Sequence, residues 1–366
     1  MTQSNAHRRR FLQAMGAAGA LAVAGCLGGD ESGDGANSGN GGNDNTDEEG
    51  LPAAKSVDVD QIARDPTDIP DPVDWNSPRT HDVTIQTQKV TAEIEPGVTF
   101  DYMTFEGQVP GPMLRVRRGD TVNLTFDVPE DMNAAMHNMD FHAVYGPGGG
   151  ADATTIAPDD DPTQIQFRAE YPGVFIYHCA VPAMDMHISS GMFGSILVEP
   201  EDGLPEVDHE FYLGQHEIYT TGEVGQQGHH GFDHDAMKRE EPTYVVFNGQ
   251  AYGFTADAAG PMKANTGETA RVYFANGGPN LLSSLHPIGN VWSDLYRDGD
   301  LLSEPANNIE TTPVSPGTTT AGVMEFPVPG PVKIVDHALS RVVHRGALGI
   351  VDVEGEPKPE IFNPDP

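Results

Sequence analysis

The chain has 366 residues, enough for two domains of about 150 residues each plus tails. Its 55 Asp and Glu outweigh 20 Lys and Arg, for a net charge of -35; the first fifty residues hold only seven of those acids and three of those bases, leaving -31 on residues 51–366. A field of that sign repels nucleic acid and anionic lipid head groups and argues against both as partners; with 14 Arg and only six Lys, the composition fits hydration in concentrated salt, where screening relieves self-repulsion, and an extreme halophile is expected.

The N-terminus reads as an export signal. Arg8-Arg9-Arg10-Phe11-Leu12 precedes an apolar run from Met15 to Ala24, the order of charge and hydrophobicity of a twin-arginine signal, and the run is too short to span a bilayer. It ends Val23-Ala24-Gly25-Cys26, similar to a lipoprotein box, so residues 1–26 are expected to be the signal and Cys26 the lipid anchor on the outer face of the cytoplasmic membrane. Residues 28–50 are nearly all Gly, Asp, Glu, Ser, Asn and Thr and cannot bury enough apolar area to offset ordering entropy. A flexible acidic linker is expected over 27–75.

From Asp82 onward, short alternating runs such as Thr121-Val122-Asn123-Leu124-Thr125-Phe126 are separated by Gly- and Pro-rich turns. The pattern predicts an all-β protein built of β-sandwiches. An internal repeat divides it. Phe105-Glu106-Gly107-Gln108, Gly111-Pro112-Met113 and Gly119-Asp120-Thr121 recur as Phe247-Asn248-Gly249-Gln250, Gly260-Pro261-Met262 and Gly267-Glu268-Thr269, and Gly191-Met192-Phe193-Gly194 recurs as Gly346-Ala347-Leu348-Gly349. Two tandem sandwiches are expected over 76–200 and 201–355, with a tail at 356–366.

Cys26 and Cys179 are the only cysteines. If Cys26 carries lipid, an exported protein has a lone thiol at Cys179 that no disulfide uses. Cys179 is followed by His187 and Met192, with His137 upstream. A thiolate, two imidazoles and a thioether make a trigonal site with a weak axial sulfur, which favours copper and one-electron transfer. Neighbouring strand residues point to opposite faces, so His178 serves a different place from Cys179. By the same parity Asp140 and His142 share a face and His137 points away. The second set, His142 and His178 with a nearby carboxylate, is one ligand short of a three-histidine metal site.

The His137-Asn138-Met139-Asp140-Phe141-His142 run, the Tyr177-His178-Cys179 strand and the His187/Met192 pair resemble copper-containing nitrite reductases. So do the 278–289 segment, Gly278 to Gly289, and Val335-Asp336-His337, and the resemblance spans roughly residues 80–355. It implies two cupredoxin (Greek-key) domains per chain in a cyclic homotrimer, and two coppers per chain. The type 1 copper would take His137, Cys179, His187 and Met192; the type 2 copper would take His142, His178 and His337 from a neighbouring subunit. Asp140 and His286 would be the acid–base pair, nitrite the substrate, and a small blue-copper or cytochrome-type protein the electron donor. The second half would hold no electron-transfer copper, because Ala347 stands where Met192 stands in the repeat.

Two rivals have distinct signatures. A multicopper oxidase needs His-x-His pairs and a His-Cys-His strand, and the chain has neither. A membrane-tethered blue-copper electron carrier would use the first set and leave Asp140, His142, His286 and His337 idle. His229, His230 and His234 lie in a Gly-rich stretch and read as a solvated loop, with a further metal as the other reading.

Overall fold

In the strand Thr121–Asp127, Val122, Leu124 and Phe126 are buried while Thr121, Asn123, Thr125 and Asp127 are half-exposed. That period of two is the signature of a sheet with one face on a core, and it recurs through the computed structural model, which describes residues 50–132 and 136–366. The expectations for the export signal and for Cys26 lie outside the described residues. No helix among the described residues is long and apolar enough to cross a membrane.

Among the described residues the strands form four sheets in two tandem cupredoxin sandwiches. In the first sandwich one sheet runs in the order Gly228–His230, Val98–Phe105, Thr80–Glu95, Thr121–Asp127, Thr163–Arg168; the other runs Leu114–Arg117, Phe193–Glu199, Gly173–His178, Asp140–Phe141. The second sandwich pairs a six-stranded sheet, centred on His209–Ile218, Thr269–Gly278 and Thr318–Glu325, with a five-stranded one in the order Met262–Asn265, Leu348–Glu354, Gly330–Asp336, Ser283–Ile288, Thr312–Val314. Strands distant in sequence pair in parallel, Thr80–Glu95 with Thr121–Asp127 and His209–Ile218 with Thr269–Gly278, the crossover connections of a Greek key.

The sequence repeat is repeated backbone. Glu106 and Gly107 have φ of 61° and 78°, and Asn248 and Gly249 have φ of 49° and 81°. Each pair forms a tight turn closed by a bridge, Phe105 to Gln108 and Phe247 to Gln250; glycine and asparagine suit positive φ because the side chain costs little there.

Each sandwich has its own core, one around Phe105, Phe126, Phe141 and Tyr177, the other around Phe247, Phe274, Trp292 and Phe326. Ala347 lies in the second core, as Met192 lies in the first. A third cluster joins residues of both halves, including Ile176, Phe193, Tyr244, Val246 and Ala275, and a fourth joins Val174 and Leu197 to Tyr212 and Tyr273.

The expected flexible linker over 27–75 does not extend through its second half. Residues 52–75 are not a linker. Ile62 and Ala63 are buried, Ala63 bridges Val109, and Arg64 Nε donates to the Pro110 carbonyl at 2.9 Å. Unlike residues 28–50, this stretch carries apolar side chains at Val59, Ile62 and Ala63, which reach the cores and offset the entropy of ordering it.

Candidate metal centres

The strand Gly173–His178 sorts the site residues by parity. Val174 and Ile176 face the clusters shared with the second half, whereas Phe175, Tyr177 and Cys179 face the first core. His178 and Cys179 therefore leave the chain in opposite directions, as the alternation of side chains requires. The register of the neighbouring strand pairs Asp140 with His178 and Phe141 with Tyr177. Phe141 fills the core beside Tyr177, and Asp140 goes with His178 to the other face.

On the core side, His137, Cys179 and His187 converge. Cys179 Sγ lies 3.8 Å from His137 Nδ1 and 3.4 Å from His187 Nδ1, and all three residues are buried. His137 is pinned by a two-way backbone bridge to Ile156, and His187 sits on the short helix Met184–Ser189. Met192 is buried in the same core; its N–H donates to the His187 carbonyl at 3.0 Å, and its carbonyl accepts from the Cys179 N–H at 3.2 Å. Asn138 ties the loops together, its Oδ1 accepting from the Ala180 N–H at 2.7 Å.

Burial, with the neighbouring His187 adding to it, lowers the His137 pKa to about 3. Burial lowers that of His187 to about 4 against the opposing pull of Asp185. Both rings are thus neutral at pH 7, the form in which imidazole binds a metal. Burial pushes the Cys179 thiol up, opposed by backbone hydrogen bonds from Val181, Asn138 and Ala180. Three soft or borderline donors whose ligating atoms face one another with no carboxylate in the group suit copper, and a metal entering here must displace the thiol proton.

On the opposite face, Asp140, His142 and His178 form the second group. His142 Nε2 and His178 Nε2 are 3.1 Å apart. His178 Nδ1 is 3.0 Å from the Cys179 carbonyl, which can only accept, so Nδ1 is the donor and Nε2 is the atom turned toward His142. Burial lowers the His142 pKa, as does His178, while Asp140 and the Gly317 carbonyl pull the other way. Taken over the whole residue His142 is still exposed, its ring only partly desolvated, and Asp140 is half-buried. The donor set fits a metal with open positions: two imidazole nitrogens converge beside a carboxylate.

His286 and His337 form a separate pair on the second sandwich, with ring centroids 5.2 Å apart and nearly perpendicular planes. His286 Nδ1 donates to the Glu310 carbonyl at 2.6 Å, which commits that nitrogen and leaves Nε2 for other partners. Within this single chain, neither residue belongs to a converging donor group among the described residues.

The remaining histidines of interest diverge. His229 meets Thr99 Oγ1 at 3.2 Å, His230 meets Thr220 Oγ1 at 3.0 Å and the Gln226 carbonyl at 2.8 Å, and His234 packs on Phe232. The stretch is also not a solvated loop. Gly228–His230 is a strand added in parallel to Val98–Phe100, with His230 buried; polar composition hid it because its pairing partner is 130 residues away.

Sequence reading missed the support under Asp140. Gly149 has φ of 56°, and a β-carbon there would collide with Asp140 Oδ1 and stand 2.7 Å from the Phe141 carbonyl. The signal was present in the Gly148-Gly149-Gly150 run, which permits a left-handed backbone and a close approach.

A multicopper oxidase family model matches residues 86–203. The copper-containing nitrite reductase of Neisseria meningitidis serogroup B is 43% identical over 311 residues, covering 85% of this chain and 78% of that protein. Among solved structures, the copper nitrite reductase of Nitrosomonas europaea superposes with a TM-score of 0.67 at 33% identity, covering 77% of this chain and 96% of that one. A multicopper oxidase structure follows at a TM-score of 0.63 and 26% identity, covering 75% and 89%, since both families are built from the same sandwiches. On its identity to the nitrite reductases over more than two thirds of their length, this chain belongs to the copper-containing nitrite reductase family.

Proposed function

We propose that the chain is a nitrite reductase that converts nitrite, two protons and one electron to nitric oxide and water. The observation that carries this reading is the division of two consecutive residues between two donor groups, Cys179 to one and His178 to the other. His137, Cys179, His187 and Met192 would hold a type 1 copper, and His142 and His178, with His337 of a neighbouring subunit in a cyclic homotrimer, a type 2 copper, giving two per chain. Copper bound at these places supplies one-electron redox change and Lewis acidity toward nitrite oxygen.

The chain's own groups do the rest. The peptide between Cys179 and His178 links the two sites covalently. Asp140, held on the same face as His142 and His178, delivers a proton from its carboxyl oxygen to the oxygen that leaves as water. His286, with Nδ1 committed to the Glu310 carbonyl, presents Nε2 as the second proton-handling atom. The electron comes from a small donor protein of the blue-copper or cytochrome type. The same reading has the protein exported by the twin-arginine route, lipid-anchored through Cys26 and adapted to high salt, with its two sandwiches meeting near Pro200.

The test is nitric oxide production from nitrite by copper-loaded protein, with copper counted per chain. Two coppers and nitrite-dependent nitric oxide support the reading; one copper and no nitric oxide would leave only an electron carrier. Subunit sharing is tested by co-expressing His142→Ala and His337→Ala chains. Random mixing makes about three-quarters of trimers mixed, each with one sound site in three, so about a quarter of the activity should return. A site built within one chain would regain none.

A further inference from the structure

His337 is exposed, yet the residue before it is completely buried. Asp336 ends the strand Gly330–Asp336 and turns its carboxylate inward to four donors. Oδ1 accepts from the backbone N–H of Ser284 at 3.0 Å and of Ala338 at 3.1 Å. Oδ2 accepts from Gln215 Nε2 at 3.2 Å and from Arg341 Nη1 at 2.6 Å. The same Arg341 nitrogen donates to the Leu282 carbonyl at 2.6 Å, and Ser283 Oγ donates to Gln215 Oε1 at 2.8 Å. His337 itself donates its N–H to the Ser284 carbonyl at 2.7 Å.

One carboxylate thus ties the backbone after His337 to the start of Ser283–Ile288, the strand that carries His286. A buried carboxylate is costly unless it is paired and fully hydrogen-bonded, and Asp336 meets that condition through four donors. What the carboxylate adds is direction: Oδ1 holds the backbone N–H groups of Ser284 and Ala338, one in each of the two segments from which His286 and His337 project, while Gln215 and Arg341 hold Oδ2.

We propose that Asp336, braced by Arg341, is the positioning residue of His337. This rests on the reading of His337 as a ligand offered to another subunit. A ligand of that kind is not ordered by the donor group it will join until the chains meet, and its freedom would be lost on binding at a cost in affinity. Its own chain must hold it in place beforehand. The Asp336 network does so through the backbone and keeps the imidazole edge-on against His286.

The experiment compares wild type with Asp336→Asn, Arg341→Gln and Arg341→Lys. In each, the thiolate-to-copper band reports on the Cys179 site and the electron paramagnetic resonance signal of the all-nitrogen copper on the His337 site. Asp336→Asn turns an amide toward the guanidinium, and Arg341→Gln removes the cation. Both should weaken the second copper by about tenfold or more, the usual size of an outer-shell loss, and change its hyperfine splitting while leaving the visible band intact. Arg341→Lys retains a donor and should recover most of the affinity. In metal-free protein labelled with 15N-histidine, the His337 ring signals, assigned by their loss in His337→Ala, should broaden or shift in the first two variants. Wild-type second-copper affinity, hyperfine splitting and ring signals in both variants would overturn the proposal, as would equal loss of both coppers, which marks a general fold defect. A wild type that binds one copper would defeat the proposed function, while the metal-free ring signals would still decide the role of Asp336.

Discussion

His178 donates its Nδ1–H to the carbonyl oxygen of Cys179, 3.0 Å away. The ring of one donor group is therefore fixed by the main chain of the residue that supplies the thiol to the other. The two sites share backbone but no ligand atom, so they should be separable by substitution. In copper-loaded Cys179→Ser the visible thiolate-to-copper band should vanish while the His-bound copper stays, because only the first group contains the soft sulfur ligand. A band that survives would remove Cys179 from the first site.

Asp140 stands against Gly149, and the two make a linked pair of expectations. Asp140→Asn should keep the copper content and cut nitrite turnover about a hundredfold, the usual size of an acid–base contribution. Gly149→Ala places a methyl where the Asp140 carboxylate sits, at a φ of 56°. It should cost about 1–3 kcal/mol of stability and lower turnover as well. Near-normal activity in Asp140→Asn would take the carboxylate out of the mechanism.

His216 offers a test in pH. It is fully buried, its Nδ1 donates to the Ser189 carbonyl at 3.2 Å, and burial lowers its pKa to about 4 against the pull of that carbonyl. Between pH 4 and 6.5 the unfolded chain binds a proton that the folded chain refuses, so stability rises with pH across this window. The contribution is complete above pH 6.5 and is lost as pH falls toward 4, at about 1.4 kcal/mol per pH unit at most. Measured by urea unfolding of metal-free protein at constant salt, His216→Asn should be less stable at pH 7 but lose less on acidification. Parallel pH profiles would contradict this.

The acidic surface makes salt a direct probe. With -31 on residues 51–366, dilution from molar to about ten-millimolar salt lengthens the screening distance from about 3 to 30 Å. Self-repulsion should then lower the melting temperature. A melting temperature independent of salt over that range would sink the halophilic reading.

What the amino-acid sequence determined by itself was local. Period-two alternation set the strands and sent His178 and Cys179 to opposite faces, and paired Phe-x-Gly-Gln turns marked the two sandwiches, because side-chain parity and positive-φ turns depend on a few consecutive residues. Only the tertiary structure decided the rest. It packed Ile62 and Ala63 against cores formed far along the chain, drew His229 and His230 into a strand beside Val98–Phe100, and closed Asp336 on Gln215. Those partners are separated by tens to more than a hundred residues, and no local pattern specifies which distant backbone a carboxylate or a short strand will meet. The interplay of Asp140 with Gly149 lies between the two cases: the glycine run was visible, but that it made room for a carboxylate depended on how the loop folded back over it.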